Sequence, residues 1–400
     1  MRRVKIVCTL GSATDSYERV KALVEAGMDV ARFAFGHGGR EEHADHEQRY
    51  HLVRKAADET GRSVGVLADL RGPVGALGSA QPALSTLSTL STRDEADLRW
   101  ALRTGFDVVA LSFVRDGRDV EAVHRVMDEE GRRLPVLAKV ETPQAVEAIE
   151  DIVAAFDGIM VARGDLGVEM PLEQVPLVQK RVVKLARRNA KPVVVATQML
   201  DSMMENARPT RAEVSDVANA VLDGTDAVML SGETSVGRHP VETVATMARI
   251  VEAAEEGLLA AGLAPLTDRN KPRTQGGAVA RAAAEVGDFL GARFLVAFTQ
   301  SGDTVRRLSR YRSPIPLLAF TAEQATRSRL SLTWGVETFL VPAAGSTDAM
   351  VRQVDEALLR CGRCRRGDLV VVTAGSPPGV PGTTNMVRVH RVGEDDGAVR

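Results

Sequence analysis

Lys139 and Glu141 stand two residues apart in a short apolar run, and Asp165 follows in the next such unit. In an extended strand, residues two apart point to the same face. An ammonium and a carboxylate on one face, joined by a second carboxylate, offer two oxygen donors to Mg2+ or Mn2+, with water and substrate completing the shell. That arrangement suits a developing enolate: the metal holds a carboxylate and a keto oxygen, and the lysine offsets the oxyanion charge. The plainer alternative is a structural Lys–Glu ion pair. Arg32 is either a clamp for a phosphate or carboxylate or a rim salt bridge. Thr197 either orients a water or a substrate carboxylate, or is a buried threonine at a strand end. His37, in a Gly–His–Gly turn, reads as a loop histidine.

These residues need elements that bring them together. Eight short runs rich in Val, Leu and Ala fall at 4–9, 29–33, 64–69, 108–112, 136–140, 158–162, 192–197 and 227–230. Several are nearly continuous apolar runs, as in strands buried on both faces. Helices separate them. Thr92 with Glu95, and Thr210 with Glu213, read as capping boxes. Gly105 reads as a helix stop, and Pro143 after Thr142 as a helix start. Eight strands alternating with helices over roughly 260 residues predict a (β/α)8 barrel. A doubly wound sheet is disfavoured, because no Gly-rich dinucleotide loop follows the first strand.

In such a barrel, chemistry sits at the C-terminal strand ends. Those ends carry Arg32 and His37, Asp69 and Arg71, Ser112, Lys139 and Glu141, Arg163 and Asp165, Thr197 and Gln198, then Ser231 and Glu233. Such a concentration of charge at one rim has no packing purpose. Around 266–274 the chain turns polar, and new strand candidates follow at 293–299, 315–321, 338–341 and 369–373. The expected division is a barrel over 1–265 and a smaller C-terminal α/β domain over 266–400. An LST triplet repeats within 77–92, which reads as a loop. Thr299 to Thr304 joins a strand to a helix and is either an anion pocket or an ordinary N-cap. Cys361 and Cys364 form a lone CxxC with no second pair to complete a zinc site.

Composition narrows the class of function. Apolar residues make up 44 % and charged residues 26 %, and the net charge is -2. With no basic block, neither a nucleic acid nor an anionic membrane is an expected partner. Three cysteines make no disulfide framework. The first residues lack a sustained apolar stretch, so the expectation is a cytoplasmic enzyme.

The chain resembles the pyruvate kinase family in ordered segments along almost its whole length. KIVCTLG at 5–11 and GMDVARFAFGHG at 27–38 resemble the family's first two strands. AKVET at 138–142 and MVARGDLGVEMP at 160–171 resemble its lysine and metal motifs. ATQMLDSM at 196–203 and the run from RPTRAEVSD to GETSVGRHP at 208–240 are near-diagnostic. VAFTQSGDTVRRLSRYR and GVPGTTNMVRV resemble its regulatory domain. The resemblance implies that Lys139 neutralises the enolate or the transferring group, and that Glu141 and Asp165 hold Mg2+ or Mn2+. It implies that Arg32 binds the substrate anion, and that the Gly164–Asp165 backbone and Thr197 hold the substrate carboxylate. Thr299, Ser301 and Thr304 match the family's effector-phosphate loop. A homo-oligomer, a tetramer as in the family, is implied as well.

The chain also departs from the family. The family inserts a lid domain after its third strand, where this chain has only the LST-rich segment. The family's potassium site uses an Asn, a Ser, an Asp and a Thr, and those positions resemble Ala34, Gly36, Asp69 and Leu70 here, so two side-chain ligands are gone and the potassium site is expected to be lost. A nucleotide-facing arginine becomes Ala76, and Val74 replaces the acid or lysine of other members. These losses fall on the nucleotide side and suggest a metal-dependent enzyme that acts on pyruvate or a related 2-keto acid through an enolate, without ATP. It would be an aldolase, lyase or decarboxylase with an unidentified second substrate. The alternatives are a pyruvate kinase with a reduced nucleotide site and a non-catalytic effector-binding regulator.

Overall fold

In a computed structural model, the structure describes residues 2–36, 43–72, 90–260, 272–380 and 382–394. His37 and most of the LST-rich segment lie outside them, as do Val74 and Ala76. The chain divides into two compact units, Met1–Gly257 and Leu258–Arg400. The boundary expected at 265/266 falls in the undescribed stretch 261–271.

The first unit is a closed barrel of eight parallel strands in sequence order. They are β1 Lys5–Thr9, β2 Val30–Ala34, β3 Gly65–Asp69, β4 Val108–Leu111, β5 Val136–Val140, β6 Gly158–Ala162, β7 Val193–Ala196 and β8 Ala227–Leu230. Every residue of these strands is buried. The apolar runs therefore do what their composition requires, each buried Val or Leu contributing about 1.5–3 kcal/mol. Close packing also dictates Gly158 at the start of β6. A Cβ there would stand 2.5 Å from Leu137 Cδ2 and 2.9 Å from the Pro192 carbonyl oxygen.

Local chemistry sets the helix ends. The Thr142 hydroxyl accepts from the Ala145 amide, with Pro143 in the first turn. Thr210 and Glu213 form the expected box, and Gly105 closes its helix in a left-handed conformation. One cap differs. Ser91 rather than Thr92 caps the helix Thr92–Thr104, because Asp94 is at the right spacing to return its carboxylate to the Ser91 amide and hydroxyl.

The second unit is a five-stranded sheet in the order β11-β10-β9-β12-β13. The strands are β9 Phe294–Phe298, β10 Leu317–Thr321, β11 Val336–Leu340, β12 Leu369–Gly375 and β13 Thr384–Arg391. Strands β9 to β12 are parallel, and β13 runs antiparallel to β12. Alternation sorts its two faces. Leu295 and Ala297 pack with Ala280, Val305 and Leu308 on one face; Phe294, Val296 and Phe298 pack with Met350, Val354 and Leu358 on the other. The sequence reading missed β13, whose residues are mostly half-buried or exposed and carry no apolar run. It also placed β11 two residues late, since only Val336 of that edge strand is buried.

Candidate active site at the barrel mouth

The charged residues at the strand ends form one connected cluster. Lys139, on β5, is 6 % exposed. Its ammonium lies 2.8 Å from Glu141 Oε1 and 3.3 Å from Asp69 Oδ1, and donates to Ser112 Oγ at 2.8 Å. Burial opposes the charged form of Lys139, but Asp69 and Glu141 outweigh it and hold the ammonium above its ordinary pKa. The Ser112 hydroxyl itself donates to the Leu70 carbonyl at 2.6 Å.

Arg32, on β2 and paired in register with Thr9 at the end of β1, donates from Nε to Asp69 Oδ2 at 2.6 Å and from Nη1 to Thr9 Oγ1 at 2.9 Å. Thr9 donates in turn to the Leu230 carbonyl, which joins β1 to β8. Asp69, fully buried, thus sits between two cations. The second oxygen of Glu141 accepts from the Phe113 amide at 2.7 Å, and Phe113 adopts φ 55° to present it.

Asp165 lies in the first turn of the short helix Arg163–Glu169. Among the described residues no hydrogen bond or ion pair holds its carboxylate. Burial raises its pKa, and the charge of Glu141 raises it further. Two carboxylates that repel each other at the C-terminal ends of neighbouring strands are a donor set suited to a divalent cation. The charges agree, because Arg32 and Lys139 balance Asp69 and Glu141 and leave Asp165 in excess. Among the described residues no group of three or more His, Cys, Asp or Glu side chains is gathered for a metal. Glu141 and Asp165 would therefore need substrate and water to complete the shell.

The Gly164 amide donates to Thr197 Oγ1 at 2.7 Å, and that hydroxyl donates to the Ala196 carbonyl at 2.6 Å. The two groups expected to meet a substrate carboxylate thus face each other across the ends of β6 and β7. Glu233, 1 % exposed, accepts from the Ser231 and Leu200 amides, and burial raises its pKa.

Thr299, Ser301 and Thr304 are elsewhere, lining a cavity of about 100 Å3 in the second unit. Thr299 Oγ1 accepts from the Gly302 amide, and the Thr304 and Thr384 hydroxyls share a 2.6 Å hydrogen bond. No Lys or Arg is among the described residues of that lining. Sequence reading overlooked Thr9, whose only signal is a hydroxyl at the end of the first strand. It also overlooked Asp216 on the helix Arg211–Leu222, which reaches the site through Arg163.

Residues 1–82 and 75–244 match the family model described as pyruvate kinase, barrel domain, and residues 277–390 match the pyruvate kinase alpha/beta domain. A pyruvate kinase from Mycobacterium intracellulare is 52% identical over 482 aligned positions that cover 99% of this chain and 99% of the relative. One from Mycobacterium tuberculosis is 52% identical over 476 positions, with the same coverage of both chains. A pyruvate kinase from Geobacillus stearothermophilus is 36% identical over 98% of this chain and 81% of its own length. The alignment to the first relative has 482 positions against 400 residues here, so that relative has residues with no counterpart in this chain. These relatives overturn the expectation of an ATP-free aldolase, lyase or decarboxylase working through an enolate. The proteins that match this chain from end to end are kinases by name.

Proposed function

The chain belongs to the pyruvate kinase family, and from that premise we propose that it transfers a phosphoryl group from phosphoenolpyruvate to ADP, yielding pyruvate and ATP. The observation that carries this reading is the buried cluster of Arg32, Asp69, Lys139 and Glu141 at the strand ends.

Phosphoryl transfer is catalysed chiefly by positioning and by neutralising charge. Arg32 and Lys139 are cations already oriented by buried partners, so little reorganisation is needed when an anionic group arrives. The Thr197 hydroxyl can leave the Ala196 carbonyl and donate, beside the Gly164 amide, to the carboxylate of the three-carbon substrate. The lysine then faces the oxygen that keeps the charge once the phosphoryl group departs. Glu141 and Asp165 would hold Mg2+ or Mn2+, which supplies further positive charge to the phosphate oxygens.

A potassium ion does not fit the described residues. Ala34 and Leu70 offer no side-chain oxygen and are buried. At Gly36, φ is 74°, and the place of a Cβ lies 2.6 Å from Arg71 Cδ, so Arg71 fills the space a side chain would take. Asp69 is already committed to Arg32 and Lys139. We therefore read the reaction as independent of potassium.

The two stretches of the barrel-domain match meet at 75–82, inside the region where the sequence suggests a missing lid. A lid excludes water during transfer. Its loss predicts weak ADP binding and some hydrolysis of phosphoenolpyruvate.

The test is ATP formation from ADP and phosphoenolpyruvate with Mg2+, followed by luciferase light, with Lys139→Met as the control. Light that depends on both substrates and disappears in the variant supports the reading. Phosphoenolpyruvate turnover with no ATP at saturating ADP would remove it.

A further inference from the structure

Thr197 and Gln198 leave β7 with φ of 68° and 54°. Neither is glycine, and a side chain in that left-handed region crowds its own backbone. Two such residues in succession persist only where the surroundings over-determine them.

Arg163 supplies that constraint. It is 8 % exposed. Its Nη2 donates to the Thr197 carbonyl at 2.8 Å and the Gln198 carbonyl at 3.1 Å, and lies 2.8 Å from Met199 Sδ. Consecutive residues in a helical conformation of either hand turn their carbonyls to the same side, so one nitrogen can serve both. The other end of the guanidinium is fixed, with Nη1 2.8 Å from Asp216 Oδ1 and 2.6 Å from Oδ2. Asp216 belongs to the helix Arg211–Leu222, which grips the same loop a second time. Glu213 accepts from the Ser202 amide at 2.7 Å and from its hydroxyl at 2.6 Å.

The turn has one consequence at the site: it directs the Thr197 hydroxyl to the Gly164 amide. Gly164 is the next residue after Arg163, so Arg163 sets both partners, one through its side chain and one through its backbone. We propose that Arg163, held by Asp216, is a positioning residue that locks the Thr197–Gln198 turn and so fixes the pair of groups receiving the substrate carboxylate. The inference rests on the kinase reading only for what Thr197 touches; the lock itself does not depend on it.

Two double-mutant cycles test it in the full chain, with Tm, kcat and KM as readouts. Asp216→Asn keeps the shape and removes the charge. Its expected effect is a loss in kcat on the order of tenfold, the penalty of slight misplacement, with the KM for ADP unchanged. Gln198→Gly removes the crowding and should restore most of that loss, and most of the fall in Tm, in the Asp216→Asn background. In a Thr197→Ala background, Asp216→Asn should change kcat by less than about twofold, since the group it positions is gone. Additive effects in both cycles, or an Asp216→Asn enzyme indistinguishable from wild type, would overturn the proposal. If Asp216→Asn does not fold, Arg163→Lys enters the same cycles. If the wild-type chain forms no ATP, the kinase reading fails and the Tm cycle alone decides: coupling between positions 198 and 216 sustains the lock, and additivity removes it.

Discussion

The barrel mouth and the cavity of the second unit both open at the C-terminal ends of parallel strands, yet their walls have little in common. At the mouth, Arg32, Lys139, Asp69 and Glu141 are buried and locked in short ion pairs. In the other cavity the described wall is hydroxyls, apolar groups and Gln300, with Asp303 tied back to Arg307 at 2.6 Å. Parallel topology supplies an opening in both places. Charge taken out of water distinguishes them, because among the described lining residues of the second cavity there is no Lys or Arg, whereas at the mouth two buried cations are held ready for an anion before it binds.

The largest expected effect is at the mouth. Lys139→Met should lower kcat by about a hundred- to a thousandfold, as removal of an oriented charge does elsewhere. Changing Thr299, Ser301 and Thr304 to Val, Ala and Val should leave kcat within about twofold. A comparable loss from the second set would break the contrast, and steady-state assays decide it.

Asp69→Ala strands two buried cations and should cost about 3–5 kcal/mol in urea unfolding. A loss below about 1 kcal/mol would mean that water already reaches the cluster.

Asp165 gives a pH-dependent test. Its folded pKa is raised by burial and by Glu141, so the stability it contributes is present below the unfolded carboxylate value and is lost as pH rises through the folded one. Metal-free Asp165→Asn should therefore melt above wild type at neutral pH. That advantage should shrink on acidification and be gone below about pH 4. Mg2+ should raise the Tm of wild type and not of the variant.

Replacing tetramethylammonium chloride with potassium chloride at constant ionic strength should change kcat by less than about twofold, because the place of a ligand is filled by Arg71. Strong activation by potassium would put a cation back among Gly36, Asp69 and Arg71. The smallest effect belongs to the second cavity. Thr304→Val loses one shared hydrogen bond with Thr384 and should cost about 1 kcal/mol. A phosphorylated sugar should bind there weakly, with Asp303 near and no base on the described wall. Calorimetry showing tight, salt-sensitive binding would erase the contrast between the two openings.

Much of this was legible beforehand. Continuous apolar runs and capping signals placed the barrel strands within a residue or so at each end. The places of Lys139, Glu141, Asp165 and Arg32 were legible because charged residues next to apolar runs stand out, and that of Thr197 because it ends such a run. Less visible were contacts made by ordinary residue types, such as Thr9 under Arg32 and Asp216 behind Arg163. An edge strand with no apolar run, β13, left no periodic trace either. The reaction was misread for a different reason. Apolar replacements near the nucleotide side carry no information about what the intact charged side does, and the end-to-end match to kinases does.

The sequence by itself determined the order of strands and helices and which positions face the core, because apolar periodicity and caps act within a few residues along the chain. It also determined that charge would gather at one rim. Only the tertiary structure decided how those charges pair: that Asp69 lies between Arg32 and Lys139, that Arg71 crosses Gly36, and that Arg163 holds the turn after β7. Closure of the barrel brings together residues remote in sequence, and burial then makes each unpaired charge so costly that the pairing is set by the whole fold.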